Sequence, residues 1–451
     1  MKKNILFISA NQLKDPYPVY PLGISYLVYY LEKNMPDIGI HLFDFNTGSY
    51  DELSELIEKV NPEYIGISFR NVDDVNFYSK NSYIKYYKSI IYLVRHKTKG
   101  RIIIGGSGYS IFPVEIFDLL KPDFGIYGEG EISLYKLIKA IEEGNNFKEI
   151  PRLIYCENGR IIFNQKNNTT CQPQPSYNND WINYYWQNSG MLNIQTKRGC
   201  PYHCIYCTYP LIEGTNVRTH DPEILVENLK KHNIDNGVDY FFFTDSLFNL
   251  QNEFNYEFAE QILRKKLKIK WGAYFNFKKL PEDLLILFKR AGLTHIEFGT
   301  DSLCNQTLAT YGKPFTFNEI LKISGICNKL DIDFAHFLIL GGYGETKATL
   351  QETFNNSKKI GKTVFFPFIG MRIYPKTELY KIAIKEGKLK VTDNLLFPKY
   401  YISDNFDIND AKILTNVTGK RWVFPDEDFS KIINKLRAKG KKGPLWEYLT
   451  N

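Results

Sequence analysis

No stretch of the 451 residues approaches the run of about 18 apolar residues that a bilayer-spanning helix requires. The first apolar run covers only residues 5–10 and is followed by polar residues, too short for the core of a secretory leader. Cysteine is sparse and odd in number, at seven, which with no leader argues against a disulfide framework. One-sided charge is also missing: 57 Lys and Arg oppose 50 Asp and Glu, a net charge of +7 with no concentrated basic patch. No nucleic-acid module is therefore expected. Histidine is scarce, with seven in the chain. Biased tracts are absent too, and 43% apolar with 24% charged residues is a globular composition that excludes disordered and collagenous classes. These absences predict a soluble, cytoplasmic protein. What the chain does have is aromatic residues, 15% of the total, with 32 Tyr and 32 Phe. That supply can build large cores and line an apolar pocket.

The length suggests two or three domains. Over 1–150, short apolar runs at 4–9, 40–45, 64–69, 101–106 and 124–128 alternate with helix-like stretches. Such units predict an α/β domain with a doubly wound parallel sheet, flavodoxin-like in outline, whose ligands lie beyond the carboxyl ends of the strands. Residues 151–191 read as a linker, because 164–179 is polar and rich in Asn and Pro. From 192 to 390 the alternation resumes, with strands expected at 192–197, 240–244, 270–275, 295–299, 334–340 and 365–374. Six units predict a partial (β/α)6 barrel rather than a closed eight-fold one. Residues 391–451 read as a small mixed tail.

Three cysteines, Cys200, Cys204 and Cys207, fall within eight residues. Three thiolates on one tight loop can hold three irons of a 4Fe-4S cluster and leave the fourth iron open to a chelating ligand. The bland reading is a zinc site with His203 as fourth ligand, but such sites draw paired ligands from separated elements, and no second pair exists here. Glycine runs stand at strand ends, in Gly105-Gly106-Ser107-Gly108, Gly128-Glu129-Gly130 and Gly341-Gly342. Small residues there leave backbone open to a bulky ligand, or simply make turns. Arg70 ends the third strand and would meet either a ligand or Asp73 and Asp74. Tyr274 and Asn276 end the third strand of the second region, and Arg372 and Tyr374 its sixth, pointing to the barrel mouth as substrate-site or catalytic candidates. Residues 420–442 are rich in Lys and Arg, normally a solvated helix face, alternatively a peripheral contact with an anionic membrane or substrate.

The cysteine spacing, with an aromatic residue just before the last cysteine and a strand leading in, resembles the radical S-adenosylmethionine (SAM) superfamily. The run Pro21-Leu22-Gly23-Ile24-Ser25-Tyr26-Leu27, followed by the two N-terminal glycine runs, resembles its cobalamin-dependent methyltransferase branch. The resemblance spans about residues 1–390. It implies that Cys200, Cys204 and Cys207 ligate the cluster and that SAM's amino and carboxylate groups chelate the open iron. Tyr206 would lie near the adenine. Asp245 and Ser246 after the second barrel strand, Gly299, Asp301 and Ser302 after the fourth, and Gly341 and Gly342 after the fifth would contact SAM. Arg70, Gly105, Gly106, Ser107, Gly108, Gly128 and Glu129 would border cobalamin. No histidine follows the first strand, since His41 and His96 fall in a strand and a helix, so no protein His is expected below the cobalt.

By the same resemblance, SAM first methylates the cobalamin. A second SAM then gives a 5′-deoxyadenosyl radical that activates an unactivated carbon of a small or lipid-like molecule for methylation. A flavodoxin- or ferredoxin-type protein would donate electrons. Ring formation, rearrangement or carbon–carbon coupling stands as an alternative outcome. So does a radical SAM enzyme whose N-terminal domain has lost cobalamin, or a cobalamin-binding sensor or carrier without catalysis.

Overall fold

A computed structural model describes residues 3–165, 171–416, 418–425, 427 and 430–450. Residues 166–170 of the expected linker, and 426, 428 and 429 of the basic tail, lie outside the described residues. The chain divides into two compact units: residues 1–74, 80–184 and 211–213, and residues 75–79, 185–210 and 214–451.

The first unit is built on β1 (Asn4–Ser9), β2 (Gly39–Asp44), β3 (Tyr64–Ser68), β4 (Arg101–Gly105), β5 (Phe124–Ile126), β6 (Leu153–Glu157) and β7 (Arg160–Phe163). The first four strands and their helices follow the expected alternation because Ile, Leu and Phe fill buried positions of β1, β3 and β4 on both faces, as parallel strands under helices require, while the edge strand β2 is only partly covered. The helix Tyr50–Val60 starts at a capping box in which the Ser49 hydroxyl accepts from the Glu52 amide and Glu52 answers Ser49. Strand order is β2-β1-β3-β4-β5-β6-β7, with β1 to β5 parallel. The order 2-1-3-4-5 is the flavodoxin-like one, and its switch point lies between β1 and β3. Two antiparallel strands, β6 and β7, extend the sheet where a linker was expected. Asn158 and Gly159, at φ 52° and 75°, form the two-residue turn between them. The rest of the 151–191 stretch carries the helix Asn179–Ser189.

The second unit contains β8 (Leu192–Ile194), β9 (Lys197–Arg198), β10 (Arg218–Thr219), β11 (Tyr240–Phe243), β12 (Lys270–Phe275), β13 (Leu293–Asp301), β14 (Asp333–Leu340), β15 (Val364–Ile369), β16 (Met371–Arg372), β17 (Tyr400–Tyr401) and β18 (Arg421–Trp422). Its main sheet runs β18-β15-β14-β13-β12-β11-β8, all parallel. Six of these strands are the expected partial barrel. The seventh, β18, comes from the predicted tail, so the tail is part of this unit's sheet rather than a separate module. The sixth strand is shorter than expected: it stops at Ile369, where Gly370 at φ 69° breaks the run, and Arg372 belongs to β16, paired with Tyr400 of β17.

Side chains alternate along these strands. Phe243, Trp271, Phe275, Ile296, Phe298, His336 and Phe365 are fully buried under the helices. The opposite, inner face carries Tyr274, Glu297, Gly299, Phe337 and Phe366, of which all but Glu297 stay partly exposed. At the amino end of that face Trp446 packs on Ala335, Val364 and Val423 and forms a floor.

Candidate active site

The cysteine loop is positioned from below by a buried ion pair. Lys197 and Asp245 are both fully buried, with Nζ 3.3 Å from the carboxylate. Asp245 also accepts from the Thr196 amide at 2.7 Å, the Thr196 hydroxyl and the Lys197 amide at 3.2 Å. Lys197 donates to the Phe248 carbonyl at 2.6 Å and to Thr196 Oγ1 at 2.9 Å, and lies 4.2 and 4.4 Å from the ring centres of Phe248 and Phe254. Burial holds its ammonium below the usual lysine range in spite of Asp245. Next door, the Ser246 hydroxyl donates to the Gly199 carbonyl at 3.3 Å. Asp245 and Ser246, expected to touch SAM, therefore fix the backbone that enters the cysteine loop. A carboxylate whose oxygens already serve four protein donors is a clamp for Thr196 and Lys197.

Gly199, at φ 93°, makes the turn into Cys200, and a Cβ there would sit 2.1 Å from the Asn216 carbonyl oxygen. The loop is then pinned by Cys200 N to Gly214 O at 3.1 Å, Cys207 N to Cys204 O at 3.0 Å and Ile205 N to Tyr311 O at 3.2 Å. Cys200 is buried, and Cys204 and Cys207 are half-buried. Burial pushes the Cys207 thiol up to about 12 and the Cys204 thiol upward, and each feels the other cysteines' charge. Thiols such as Cys204 and Cys207 that resist ionisation alone, and that repel when ionised, suit a cationic centre. Among the described residues no three His, Cys, Asp or Glu side chains converge to share one ion. A cluster, in which each thiolate takes its own iron, fits this donor set.

Asp301 ends β13 with a left-handed φ of 64°. It accepts from the Tyr206 hydroxyl and pairs with Lys313 at 2.9 Å, both partners nearly buried. Burial works against the Lys313 charge, yet Asp301 and the thiols of Cys204 and Cys207 raise it to about 12, so the ammonium stays charged beside the loop. Lys313 escaped the sequence reading: it sits in a Tyr-Gly-Lys-Pro turn with no periodic signal. The fold brings Tyr206, Asp301 and Lys313 to the cysteines. Ser302 is elsewhere engaged, its buried hydroxyl 3.1 Å from Thr353 Oγ1 and accepting from the Cys304 amide. Gly299 borders open space, with nothing within 4 Å of a Cβ placed there.

The glycines after β14 serve packing. A Cβ on Gly341 would lie 2.6 Å from the Phe406 ring, and one on Gly342 2.3 Å from the Tyr311 hydroxyl, so the chain's own aromatics pack closely on both glycines. The Gly341 amide donates to Glu345, a carboxyl 1% exposed whose Oε1 has no partner. Burial pushes Glu345 up to about 7. Arg372, expected at the barrel mouth, is buried and donates to the carbonyls of Ile373 at 2.6 Å and Leu395 at 2.7 Å, with its guanidinium 4.7 Å from the Tyr374 ring centre. These contacts brace the turn after β15. Tyr274 stays on the inner face, where it hydrogen-bonds Glu297. The basic tail is partly engaged: Lys420 donates to the carbonyls of Ile360 and Gly361, and Lys442 lies 4.3 Å from the Trp186 ring centre.

In the first unit the loops after β1, β3 and β4 gather at the sheet's carboxyl edge. Gly106, at φ 101°, and Gly108 let the loop after β4 close on the backbone of residues 69–71, where any Cβ would fall within 3 Å. Ser107 donates to the Arg70 carbonyl at 2.8 Å, and the Gly128 amide to Ser110 Oγ at 2.7 Å. Gly105 has only the Ile126 carbonyl near its Cβ direction, at 3.2 Å, while at Gly128 a Cβ would meet the Arg152 guanidinium at 2.2 Å. Gly128 is thus closed off by Arg152, and Glu129 follows it half-exposed. Arg70 is half-buried, and Asn11 Nδ2 is buried without a hydrogen-bond partner among the described residues. Both lie at the switch point, where a polar nucleotide-like ligand would find a donor pair, so these residues fit cobalamin.

Residues 194–356 match the family model of the radical SAM superfamily. An uncharacterized methyltransferase of Pyrococcus horikoshii is 24% identical over 377 residues, 82% of this chain and 79% of its own. The tryptophan 2-C-methyltransferase of Streptomyces laurentii is 21% identical over 84% of this chain and 74% of its own. The structure of the radical SAM methyltransferase TsrM from Kitasatospora setae, with cobalamin and a [4Fe-4S] cluster bound, superposes with a TM-score of 0.87 at 19% identity, over 100% of this chain and 97% of that one. That enzyme has also been solved with tryptophan and a SAM analogue. Residues 194–356 thus match the radical SAM family model, and the fold is similar to that of a cobalamin-bound radical SAM methyltransferase.

Proposed function

We propose that this radical SAM protein is a cobalamin-dependent methyltransferase that binds a 4Fe-4S cluster, SAM and cobalamin and methylates carbon in a small-molecule substrate. The observation that carries the reading is the cysteine loop: three thiols on one turn at the carboxyl edge of a six-stranded parallel partial barrel, held by the Lys197–Asp245 pair. The flavodoxin-like order of the first sheet, with Arg70 and Asn11 at its switch point, supports the cobalamin part. When bound, these groups supply one-electron hydrogen abstraction and a transferable methyl group, chemistry that no side chain offers.

The chain's own residues bind and orient. Cys200, Cys204 and Cys207 would hold the cluster. Lys313, kept cationic by Asp301, presents an ammonium where SAM's carboxylate would come to chelate iron, and the Tyr206–Asp301 bond keeps that carboxylate side chain in place. Arg70 and the backbone of residues 105–108 would border cobalamin. The Trp446 floor closes the amino end of the barrel's inner face. The cobalamin part would be the unit that includes the β6–β7 extension of the first sheet, and the radical part the unit that includes β18. The test is anaerobic incubation of the reconstituted protein with SAM, a reductant and candidate substrates. A product heavier by about 14 Da, the mass of a methylene, is expected. A product of unchanged mass, or one that has lost hydrogen, would replace methylation with a ring-forming or rearranging outcome.

A further inference from the structure

Between the cysteine loop and the floor, the inner face of the second sheet has a distinct chemistry. In register across β12, β13, β14 and β15, Tyr274 neighbours Glu297, Gly299 neighbours Phe337, and Phe337 neighbours Phe366. Phe337 and Phe366 stack with centroids 5.0 Å apart and planes 16° from parallel, and both remain partly exposed. A partly exposed pair of parallel rings inside a barrel offers one more π-face to a third ring. The side chain that Gly299 lacks leaves open space above Glu297, two residues back on the same face.

Glu297 is 3% exposed and sits in the middle of β13. The indole N–H of Trp446 donates to its Oε1 at 3.0 Å from the floor side, and Tyr274 hydrogen-bonds it from the neighbouring strand. A carboxylate has about four acceptor sites, so two partners leave capacity toward the open space. Placing an acid in an aromatic-lined interior has a desolvation cost, and a substrate donor would offset it. Burial pushes this carboxyl up to about 7, against the pull of the Trp446 and Tyr274 hydrogen bonds.

We infer that the substrate is a planar heteroaromatic molecule bearing a ring N–H, which stacks on Phe337 and Phe366 over Gly299 and donates that N–H to Glu297. This deepens the reading of the second unit as the substrate-binding barrel and rests on it. Glu297 is a binding and positioning group here. Two of the four lone-pair sites hold it still, and the others read the ring.

The probes are indole and 1-methylindole, which differ only in the ring N–H. Saturation-transfer difference NMR on the full-length protein gives their affinities, with and without reconstituted cluster and SAM. Indole is expected to bind about tenfold more tightly than 1-methylindole, the ratio of one acceptor left unpaired. Phe337→Ala should weaken both about tenfold. Glu297→Leu should abolish the preference while leaving 1-methylindole unchanged, and Glu297→Gln, which keeps a carbonyl acceptor, should restore part of it. Thermal melting of each variant shows that it is folded, and the Gln variant stands in if the Leu variant is not. Equal affinities for the two probes, no binding of either, or complete displacement of indole by SAM would overturn the inference, the last by assigning the ring wall to SAM. Iron content is read separately on the same samples. Full iron with no ring preference refutes this inference alone, whereas absent iron refutes the cofactor reading and leaves the indole titration standing.

Discussion

Replacing Asp245 by alanine separates two roles for one residue. The substitution strips the acceptor from the Thr196 amide at 2.7 Å, the Lys197 amide at 3.2 Å and the Lys197 ammonium at 3.3 Å, all at fully buried positions. Lys197 would be left with the Phe248 carbonyl, Thr196 Oγ1 and two ring faces, with no counter-charge. Breaking a buried pair by removing one partner costs about 3–5 kcal/mol. At about 2–4 °C per kcal/mol for a domain of this class, the melting temperature should fall on the order of 10 °C. Because the pair lies at the entry to Cys200, iron retained after anaerobic reconstitution should fall as well. The double variant Lys197→Met with Asp245→Asn leaves no buried charge and keeps an amide oxygen for the backbone, so it should recover most of the stability. Circular dichroism melting and iron analysis read both effects. If Asp245→Ala melts within about 1 kcal/mol of the parent and keeps its iron, but loses SAM affinity, Asp245 touches SAM and the clamp argument is refuted.

Three further outcomes follow from the same geometry. Glu345, raised from 4.5 to about 7 by burial, binds its proton more tightly folded than unfolded, so its contribution is full below pH 4.5 and is lost as pH rises through 7. Glu345→Gln should therefore flatten the fall in stability between those pH values, by at most about 3 kcal/mol, in melts run across the range. Gly342→Ala would place a Cβ 2.3 Å from the Tyr311 hydroxyl and 2.7 Å from Met371 Cε. A loss of about 1–3 kcal/mol in denaturant titration is expected, against a pure SAM-binding role, which would leave stability intact. Lys313→Met removes the ammonium beside Asp301, and equilibrium dialysis should show SAM binding weakened about tenfold or more with iron content retained, where Lys313→Arg keeps most of it.

How much was legible depended on how local the signal was. Cys200, Cys204 and Cys207 could be read because their meaning lies in spacing along one loop. Both parallel sheets could be read because buried strands are continuous apolar runs between helices. Asp245 and Ser246 stand at the expected strand end, and the engagement of Asp245 by a buried lysine 48 residues away was hidden, since a strand-end carboxylate looks the same in sequence whether it faces a ligand or a lysine. Lys197 gave no signal of its own, standing among Asn193, Gln195, Thr196 and Arg198 in a mixed approach to the cysteine loop. Gly341 and Gly342 were legible as small residues at a strand end, but the close approach of Phe406 and Tyr311 to them was not, since such long-range packing leaves no local trace. The hairpin of β6 and β7 did have one, the Asn158-Gly159 pair, hidden by the polar stretch that follows. Arg372 was misplaced because the sixth strand breaks at Gly370, four residues before the sequence pattern ends.

The central claim, that one chain holds an iron–sulfur cluster and a corrinoid together, is most directly tested by metal content. The full-length protein would be reconstituted anaerobically with iron, sulfide and hydroxocobalamin, desalted, and analysed for iron and cobalt per chain. About four irons and about one cobalt are expected, with iron lost and cobalt kept in a variant carrying Cys200→Ala, Cys204→Ala and Cys207→Ala. About four irons without cobalt would contradict the cobalamin half of the account, and cobalt without iron would contradict the radical SAM half.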